Sequence, residues 1–302
     1  DAVCYAYTAA FIQHLENSNN IDAGCEVAIA GDLRPSSPRI CAAIAKAVAD
    51  KGYTPVYCGE IPSPAVALYG FSNKIPSVMV TGSHIPADRN GIKYNTPLGE
   101  IMKEDEQGIR VQTVILSDEL CNDNGLFKTA FKLPEIREEA EALYIKRYTD
   151  FFDADTLAGL TVGVYEHSCV GRDTLKAIYS QLGAKVVGLG RSDVFIPVDT
   201  EAIRPEDVAL AAEWGATGEY DAILSADGDC DRPLIADETG YWLRGDVAGI
   251  LCAQHIGADA VVTPVSCNSA VELSEFFKTV TRTRIGSPFV IAGMKEATAA
   301  GY

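Results

Sequence analysis

The sequence DAILSADGDCDRP occupies residues 221–233, and the rest of the chain is organised around it. Its first part, residues 221–225, is short and apolar and predicts a strand. The residues that follow form an acidic loop at the carboxyl end of that strand, which is where open α/β sheets place their ligands. The stretch therefore predicts an α/β domain with a ligand site at this strand end.

The acidic loop has the composition of a metal site. Asp227, Asp229 and Asp231 occupy alternate positions, and Arg232 closes the run. Carboxylates this close repel one another unless a cation lies among them, and Mg²⁺ and Ca²⁺ are the cations that prefer carboxylate oxygens. An EF-hand calcium loop requires glycine where Arg232 stands and is flanked by helices, whereas this loop has strand-like flanks. We therefore interpret it as a divalent-metal loop, with a solvated acidic turn as the plainer alternative.

A strand–helix–strand pattern occurs twice in full along the chain and begins a third time. Apolar runs predict strands at residues 27–30, 54–58, 76–80, 161–165, 185–189, 221–225, 260–264 and 280–284. The segments between them have helical periodicity, including a predicted helix over residues 270–277. Alternating strands and helices predict layered α/β domains with helices covering a mostly parallel sheet. The predicted domains are residues 1–133, 134–243 and 244–302.

Charge and composition argue against several classes of function. The 302 residues include 42 acidic and 25 basic side chains, a net charge of −17, so we expect no binding to nucleic acid or to an anionic membrane surface. The nine cysteines are scattered without paired spacing, which predicts reduced thiols and a cytoplasmic protein. The chain starts at Asp1 inside a predicted helix and stops at Tyr302 directly after another, so we expect it to be truncated at both ends.

Two further strand-end loops carry candidate functional side chains. Residues 81–94, TGSHIPADRNGIKY, place Ser83 after a glycine at the end of a predicted strand. Taken singly, Ser83, His84 and Lys93 are more ordinarily a turn serine, a structural histidine and a surface lysine. Residues 31–37, GDLRPSS, contain Arg34 at the start of a predicted helix. That loop predicts either an anion site or a plain helix cap followed by a surface arginine.

Together the three loops resemble the motifs of the α-D-phosphohexomutases, which include phosphoglucomutase and phosphomannomutase. Residues 81–93 match the family's phosphoserine loop, T-[GA]-S-H-x-P-x-x-x-N-G-x-K, and residues 227–232 match its metal loop, D-G-D-x-D-R. Residues 31–36 approximate its G-x-D-x-R-x-S loop, and Gly245-Asp246 stand where the family has that pair. The order and spacing of the motifs agree over essentially the whole chain.

The resemblance implies successive similar three-layer α/β/α domains with mixed, mostly parallel sheets around a central cleft. The chain departs from the family in lacking the initial G-T-[SA]-G-x-R-G segment, the sugar-binding G-E-x-S-G-H-type loop of domain 3, and the fourth, phosphate-clamping domain. Residues 285–287 replace a Gly-His pair that some bacterial members have, so a substrate contact there is in doubt. Cys230 replaces the more usual glycine of the metal loop.

The resemblance also implies an activity. The reaction would be the reversible transfer of a phosphoryl group between the 1- and 6-positions of a hexose phosphate, with mannose or glucose phosphate favoured. The phosphoryl group would pass through phosphorylated Ser83, a hexose 1,6-bisphosphate would be the intermediate, and Mg²⁺ would be the cofactor. The implied metal ligands are an oxygen of phosphorylated Ser83 and the carboxylates of Asp227, Asp229 and Asp231.

Four further residues have implied roles. Arg34 and Arg232 would bind phosphate, because guanidinium groups suit phosphoryl oxygens. A general base must take the proton of the attacking hydroxyl, and Lys93 is the first candidate and His84 the second. Lys93 can act as a base only if its pKa lies well below the ordinary value of about 10.4.

Other readings stay open at this point. Within the family, the chain would alternatively be a phosphoglucosamine mutase. From different classes, it would be a non-catalytic, metal-dependent phosphosugar-binding protein or a metal-dependent phosphatase. The expected assembly is a monomer or a homodimer.

Overall fold

The computed structural model describes residues 1–302, which form three α/β units one after another. The elements of the first unit are α1 (Ala2–Asn17), β1 (Glu26–Gly31), α2 (Ser37–Asp50), β2 (Thr54–Gly59), α3 (Ser63–Asn73), β3 (Ser77–Val80), β4 (Ile92–Thr96), β5 (Gly99–Glu100) and α4 (Lys103–Arg110). They build a five-stranded sheet in the order β2-β1-β3-β4-β5. Strand β1 is parallel to β2 and β3, whereas β4 and β5 are antiparallel additions at one side.

The second unit repeats this arrangement. Its elements are α5 (Glu139–Phe151), β6 (Thr161–His167), α6 (Arg172–Gln181), β7 (Lys185–Arg191), α7 (Pro205–Gly215), β8 (Ala222–Ala226), β9 (Pro233–Ala236) and β10 (Trp242–Leu243). The sheet order is β10-β9-β8-β6-β7, with β6 parallel to β7 and β8 and an antiparallel pair at the other side. Because the two sheets have the same strand order and directions, β3 of the first unit corresponds to β8 of the second. These are the strands that deliver Ser83 and the acidic loop.

The third unit is a two-stranded parallel sheet with three helices. Its elements are α8 (Gly245–His255), β11 (Ala260–Pro264), α9 (Ala270–Leu273), β12 (Thr279–Thr283) and α10 (Ser287–Ala299). The sequence prediction of a helix over residues 270–277 was too long, since α9 ends at Leu273. Glu275 has a left-handed φ of 58°, which is incompatible with a continuing right-handed helix.

The sequence of β1 explains how the first sheet is covered on both faces. Val27 and Ile29 belong to the apolar cluster formed with α1 and α2, whereas Ala28 and Ala30 belong to the cluster on the opposite face with α3. Alternate side chains of a strand point to opposite faces, so an uninterrupted apolar run buries both. The predicted three-layer α/β/α class with mixed sheets is confirmed.

The first two units share a core. Ala140 and Tyr144 of α5 and Ile178 of α6 lie in the same apolar cluster as Val66 and Tyr69 of α3. This shared cluster connects the unit that carries Ser83 to the unit that carries the acidic loop. The domain boundaries at 133 and 243 stay predictions. No helix is both long and apolar enough to cross a lipid bilayer.

Candidate active site

Ser83 lies in a tight loop directly after β3. Its φ is +51°, a left-handed conformation that is uncommon for residues other than glycine and that occurs often at functional sites. The backbone N–H of Ser83 donates to Thr81 Oγ1 at 2.8 Å, and the N–H of Thr81 donates to the carbonyl of Gly91 at 3.0 Å. These bonds hold the loop in the conformation that turns the serine hydroxyl towards the second unit.

The acidic loop follows β8 and gathers its three carboxylates. One oxygen from each of Asp227, Asp229 and Asp231 lies within 4.8 Å of the others. Asp227 and Asp229 are fully buried, and Cys230 between the second and third aspartate has a left-handed φ of 61°. The backbone N–H groups of Asp231 and Arg232 both donate to Asp227 Oδ1 at 3.3 Å. The loop thus turns back on itself around Asp227.

Burial and crowding disfavour the ionised form of Asp227, one of the three carboxylates. Burial, followed by repulsion from Asp229 and Asp231, raises the pKa of Asp227 to about 7. Asp229 Oδ1 is buried and has no hydrogen-bond partner. A group of carboxylate oxygens with an unpartnered buried member is the donor set that hard divalent cations prefer. The residues present therefore fit a divalent cation at this loop.

The serine and the acidic loop meet, although 144 residues separate Ser83 from Asp227. Ser83 Oγ donates to Asp227 Oδ2 at 2.5 Å, and Arg232 Nη2 donates to Ser83 Oγ at 3.1 Å. Gly228 permits this approach: a Cβ on it would lie 2.8 Å from the carbonyl oxygen of Ser83. The site is therefore a hydroxyl held between a carboxylate cluster and a guanidinium.

His84 and Lys93 lie on either side of the same centre. Arg232 Nη1 donates to His84 Nδ1 at 2.8 Å, and His84 Nδ1 is 3.5 Å from Ser83 Oγ. Lys93 is on β4, and its Nζ is 2.7 Å from Asp229 Oδ2 and 2.6 Å from Asp231 Oδ2. Burial would lower the pKa of Lys93, but the charges and hydrogen bonds of these two aspartates outweigh it and raise the pKa. In this arrangement Lys93 is a cation paired with the acidic loop.

Arg34 lies behind the serine loop instead of facing its open side. Its side chain is fully buried against Asp32, and its Nη2 donates to the carbonyl oxygens of Ser83 at 3.0 Å and Ile85 at 2.5 Å. Gly82 leaves room for it, because a Cβ there would lie 2.9 Å from Arg34 Cζ. This placement favours a bracing role over the direct phosphate contact expected from the sequence.

Sequence reasoning gave no role to four residues that contribute to the site. Asp32 accepts hydrogen bonds from Thr81 Oγ1 at 2.8 Å and Ser37 Oγ at 2.6 Å, and it is fully buried. Phe195 stacks on Arg34, and Asp199 Oδ2 is 3.9 Å from His84 Nε2. Asp32 and Thr81 lie inside the loops quoted from the sequence, so their motifs could have identified them as site residues. Phe195 and Asp199 lie in the irregular segment before α7, where no sequence pattern marks them.

A cleft of about 910 Å³ opens beside His84 and Arg232, which both neighbour Ser83, and it is lined by residues from all three units. The first unit contributes His84 and Lys93, the second Asp231 and Arg232, and the third Lys295 among others. A strand-end hydroxyl, a carboxylate cluster that fits a divalent cation and two cationic side chains are the kinds of groups that phosphoryl-transfer sites use.

The fold and this site define a class of α/β phosphoryl-transfer proteins. Residues 1–114 match the family description "Phosphoglucomutase/phosphomannomutase, alpha/beta/alpha domain I", and residues 142–240 match "alpha/beta/alpha domain II" of the same family. The chain belongs to this family, a branch of the α-D-phosphohexomutase superfamily.

Similar proteins support that assignment. The chain is 45% identical to a phosphomannomutase of Salmonella muenchen, over 98% of this chain and 59% of that protein. It is 44% identical to a phosphomannomutase of Sinorhizobium fredii, over 99% of this chain and 62% of that protein. The chain thus spans about three fifths of the length of these relatives. A phosphoglucosamine mutase of Deinococcus deserti is more distant, with 28% identity over 97% of this chain and 66% of that protein.

Solved structures agree on the fold. A phosphoglucomutase/phosphomannomutase family protein from Burkholderia thailandensis superposes with a TM-score of 0.78 at 22% identity, over 99% of this chain and 66% of that one. At this identity the likeness supports the architecture alone.

Proposed function

We propose that the chain carries the phosphoserine and metal-binding parts of a phosphohexomutase. The reaction is the reversible transfer of a phosphoryl group between the 1- and 6-positions of a hexose phosphate. The observation that carries the proposal is the 2.5 Å contact between Ser83 Oγ and Asp227 Oδ2 inside the carboxylate cluster. A serine that exchanges a phosphoryl group needs a cation beside it, and this contact places the hydroxyl at a carboxylate cluster that fits a cation.

Ser83 is the proposed phosphoryl carrier. A phosphoserine bears a charge of about −1.5 to −2 at neutral pH, which the bare acidic loop would repel. Asp227, Asp229 and Asp231 would therefore hold Mg²⁺, with an oxygen of phosphorylated Ser83 as a further ligand. When bound, this cation offsets the phosphoryl charge and polarises the phosphorus–oxygen bond. Arg232, already 3.1 Å from Ser83 Oγ, is placed to stabilise the transferring phosphoryl oxygens.

The remaining steps are two phosphoryl transfers and the removal of a hydroxyl proton. The phosphoryl group of Ser83 passes to a free hydroxyl of the bound hexose phosphate, giving a hexose 1,6-bisphosphate. That intermediate turns over in the cleft, and its other phosphate returns to Ser83. Lys93 and His84 are the two candidates to take the hydroxyl proton. Both line the cleft, and His84 Nδ1 is 3.5 Å from Ser83 Oγ. Because its ion pairs with Asp229 and Asp231 raise the pKa of Lys93, His84 is the favoured base in this arrangement.

Mannose or glucose phosphate is the proposed substrate, because the relatives at 44–45% identity are phosphomannomutases. Phosphoglucosamine mutases reach 29% identity, so glucosamine phosphate is the alternative substrate. The proposed partners are the hexose phosphate and its bisphosphate, with no nucleic acid or membrane. The proposed assembly is a monomer or a homodimer, and the proposed location is the cytoplasm.

The decisive experiment is intact-mass analysis of the full-length protein with its Ser83→Ala variant, paired with mutase assays. The assays use mannose, glucose and glucosamine phosphates with a hexose 1,6-bisphosphate activator. We expect a phosphorylated species and mutase activity in the wild type, and neither in Ser83→Ala. Ser180→Ala, an exposed serine on α6, is the matched control and should behave as the wild type.

Treatment with a chelator should abolish the activity, and added Mg²⁺ should restore it. Full activity of Ser83→Ala together with no phosphorylated species in the wild type would refute the proposal.

A further inference from the structure

Phe195 lies where the first and second units meet, in the segment between β7 and α7. Its ring centroid is 4.1 Å from Arg34 Cζ, within the range of a cation–π contact. Its ring edge also borders the acidic loop, since a Cβ on Gly228 would lie 3.1 Å from Phe195 Cζ. Phe195, a single side chain of the second unit, thus contacts both Arg34 and the acidic loop.

Arg34 passes this contact on to the serine. The carbonyl oxygens of Ser83 and Ile85, on either side of His84, both accept hydrogen bonds from Arg34 Nη2. The guanidinium is fully buried, so its orientation is set by the side chains around it, and Phe195 of the second unit is one of these. A shift of the Phe195 ring would therefore move the Arg34 guanidinium, and with it the backbone of Ser83 to which the guanidinium is hydrogen-bonded.

The segment that carries Phe195 is itself anchored. Ser168, buried in the loop after β6, donates its hydroxyl to the carbonyl of Ile196 at 3.2 Å and accepts the N–H of Ile196 at 2.7 Å. Farther along the same segment, Asp199 Oδ2 is 3.9 Å from His84 Nε2. The segment therefore contacts Arg34 through Phe195 and approaches His84 through Asp199, while its backbone is held to the second unit.

We propose that Phe195 is a positioning residue that sets the Ser83 hydroxyl against the acidic loop through Arg34. The inference rests on the proposed phosphoryl transfer at Ser83. Through this path the packing of the two units determines the alignment of serine and cation site. We expect the effect on the transfer step, because Arg34 holds the backbone of Ser83, whereas neither Arg34 nor Phe195 lines the cleft proposed to bind the sugar.

The test compares Phe195→Leu, which removes the aromatic ring, with Phe195→Tyr, which keeps it, in the full-length protein. The measurements are the rate of Ser83 phosphorylation by glucose 1,6-bisphosphate, kcat, KM and the melting temperature. Cation–π contacts, from exposed to desolvated ones, correspond to about 2- to 30-fold in rate. We expect Phe195→Leu to lower the phosphorylation rate and kcat by that factor with KM unchanged, and Phe195→Tyr to restore them. Phe151→Leu, at the exposed end of α5, is the control and should leave the rate unchanged.

Each outcome separates the two proposals. A wild type that takes no phosphoryl group overturns the proposed function and this role with it. A phosphorylated wild type whose rate equals that of Phe195→Leu overturns the role of Phe195 alone. If Phe195→Leu and Phe195→Tyr lowered the rate equally and also lowered the melting temperature equally, the residue would merely support the fold. That result would also overturn the positioning role.

Discussion

Replacing Asp32 by asparagine tests whether the Asp32–Arg34 pair braces the serine loop. Asp32 accepts hydrogen bonds from the backbone N–H of Arg34 at 3.1 Å, from the hydroxyls of Thr81 and Ser37, and from the guanidinium of Arg34. Asparagine has the same shape, so no cavity forms. The change removes a charge whose partner is fully buried. Breaking a buried ion pair by removing one partner costs about 3–5 kcal/mol.

The assay is urea unfolding followed by circular dichroism. We expect the free energy of unfolding of Asp32→Asn to fall by about 3–5 kcal/mol. Asp150→Asn, which breaks an exposed ion pair with Lys146 on α5, is the control and should change it by less than about 0.5 kcal/mol. The double variant Asp32→Asn/Arg34→Met removes both charges. Its loss should be smaller than the sum of the two single losses by about 0.5–3 kcal/mol.

The result separates two roles for Arg34. If Arg34 bound the substrate's phosphate directly, the Arg34→Met variant would lose activity with little loss of stability. A brace predicts that stability and the phosphorylation rate fall together. A stability loss below about 1 kcal/mol for Asp32→Asn, or additivity of the two single variants, would refute the brace.

Two further predictions follow from close contacts and burial. Gly228→Ala places a Cβ 2.8 Å from the Ser83 carbonyl oxygen, so the two loops must move apart. Since a displacement of about 1 Å can lower a rate about 100-fold, we expect a loss of that order in Ser83 phosphorylation. Gly249→Ala, in open space on α8, should leave the rate unchanged, and equal rates in both variants would contradict the argument. Burial lowers the pKa of His167 from 6.5 to about 4. The unfolded state therefore binds more protons between these values, and stability should fall by up to about 3 kcal/mol as the pH drops from about 6.5 to 4, at about 1.4 kcal/mol per pKa unit. His167→Gln should flatten this part of the pH–stability curve, and an unchanged slope would contradict it.

The strands and helices of the parallel core were predictable because their signals are local. The apolar run of β1 and the acidic run after β8 follow directly from residues 26–31 and 222–231. The antiparallel strands β4, β5, β9 and β10 were missed. Strands β5 and β10 have two residues each and β4 is largely polar, so their pairing partners define them, not their own pattern.

The site residues likewise divide into those with a local sequence signal and those defined by distant contacts. Ser83 and the three aspartates were recognisable, since their motifs concentrate unusual chemistry in a few residues. Arg34 stands in a motif too, but whether it faces the cleft or the interior depends on packing between units. Its orientation is set by Asp32 and by Phe195, and Phe195 comes from 161 positions farther along the chain by residue number. Long-range contacts of this kind leave no local pattern to detect.

The two halves of the site stay together because the units that carry them share a core. Burial and the neighbouring carboxylates disfavour the charged form of Asp227, a cost that the ion pairs of Lys93 with Asp229 and Asp231 offset in part. The cluster that includes Tyr144, Ile178, Val66 and Tyr69 joins the two units. A backbone hydrogen bond also joins the two units, since the N–H of Ser63 donates to the carbonyl of Asp229 at 2.9 Å. Apolar burial between the units thus opposes the electrostatic cost at the site, and a divalent cation bound there would act in the same direction.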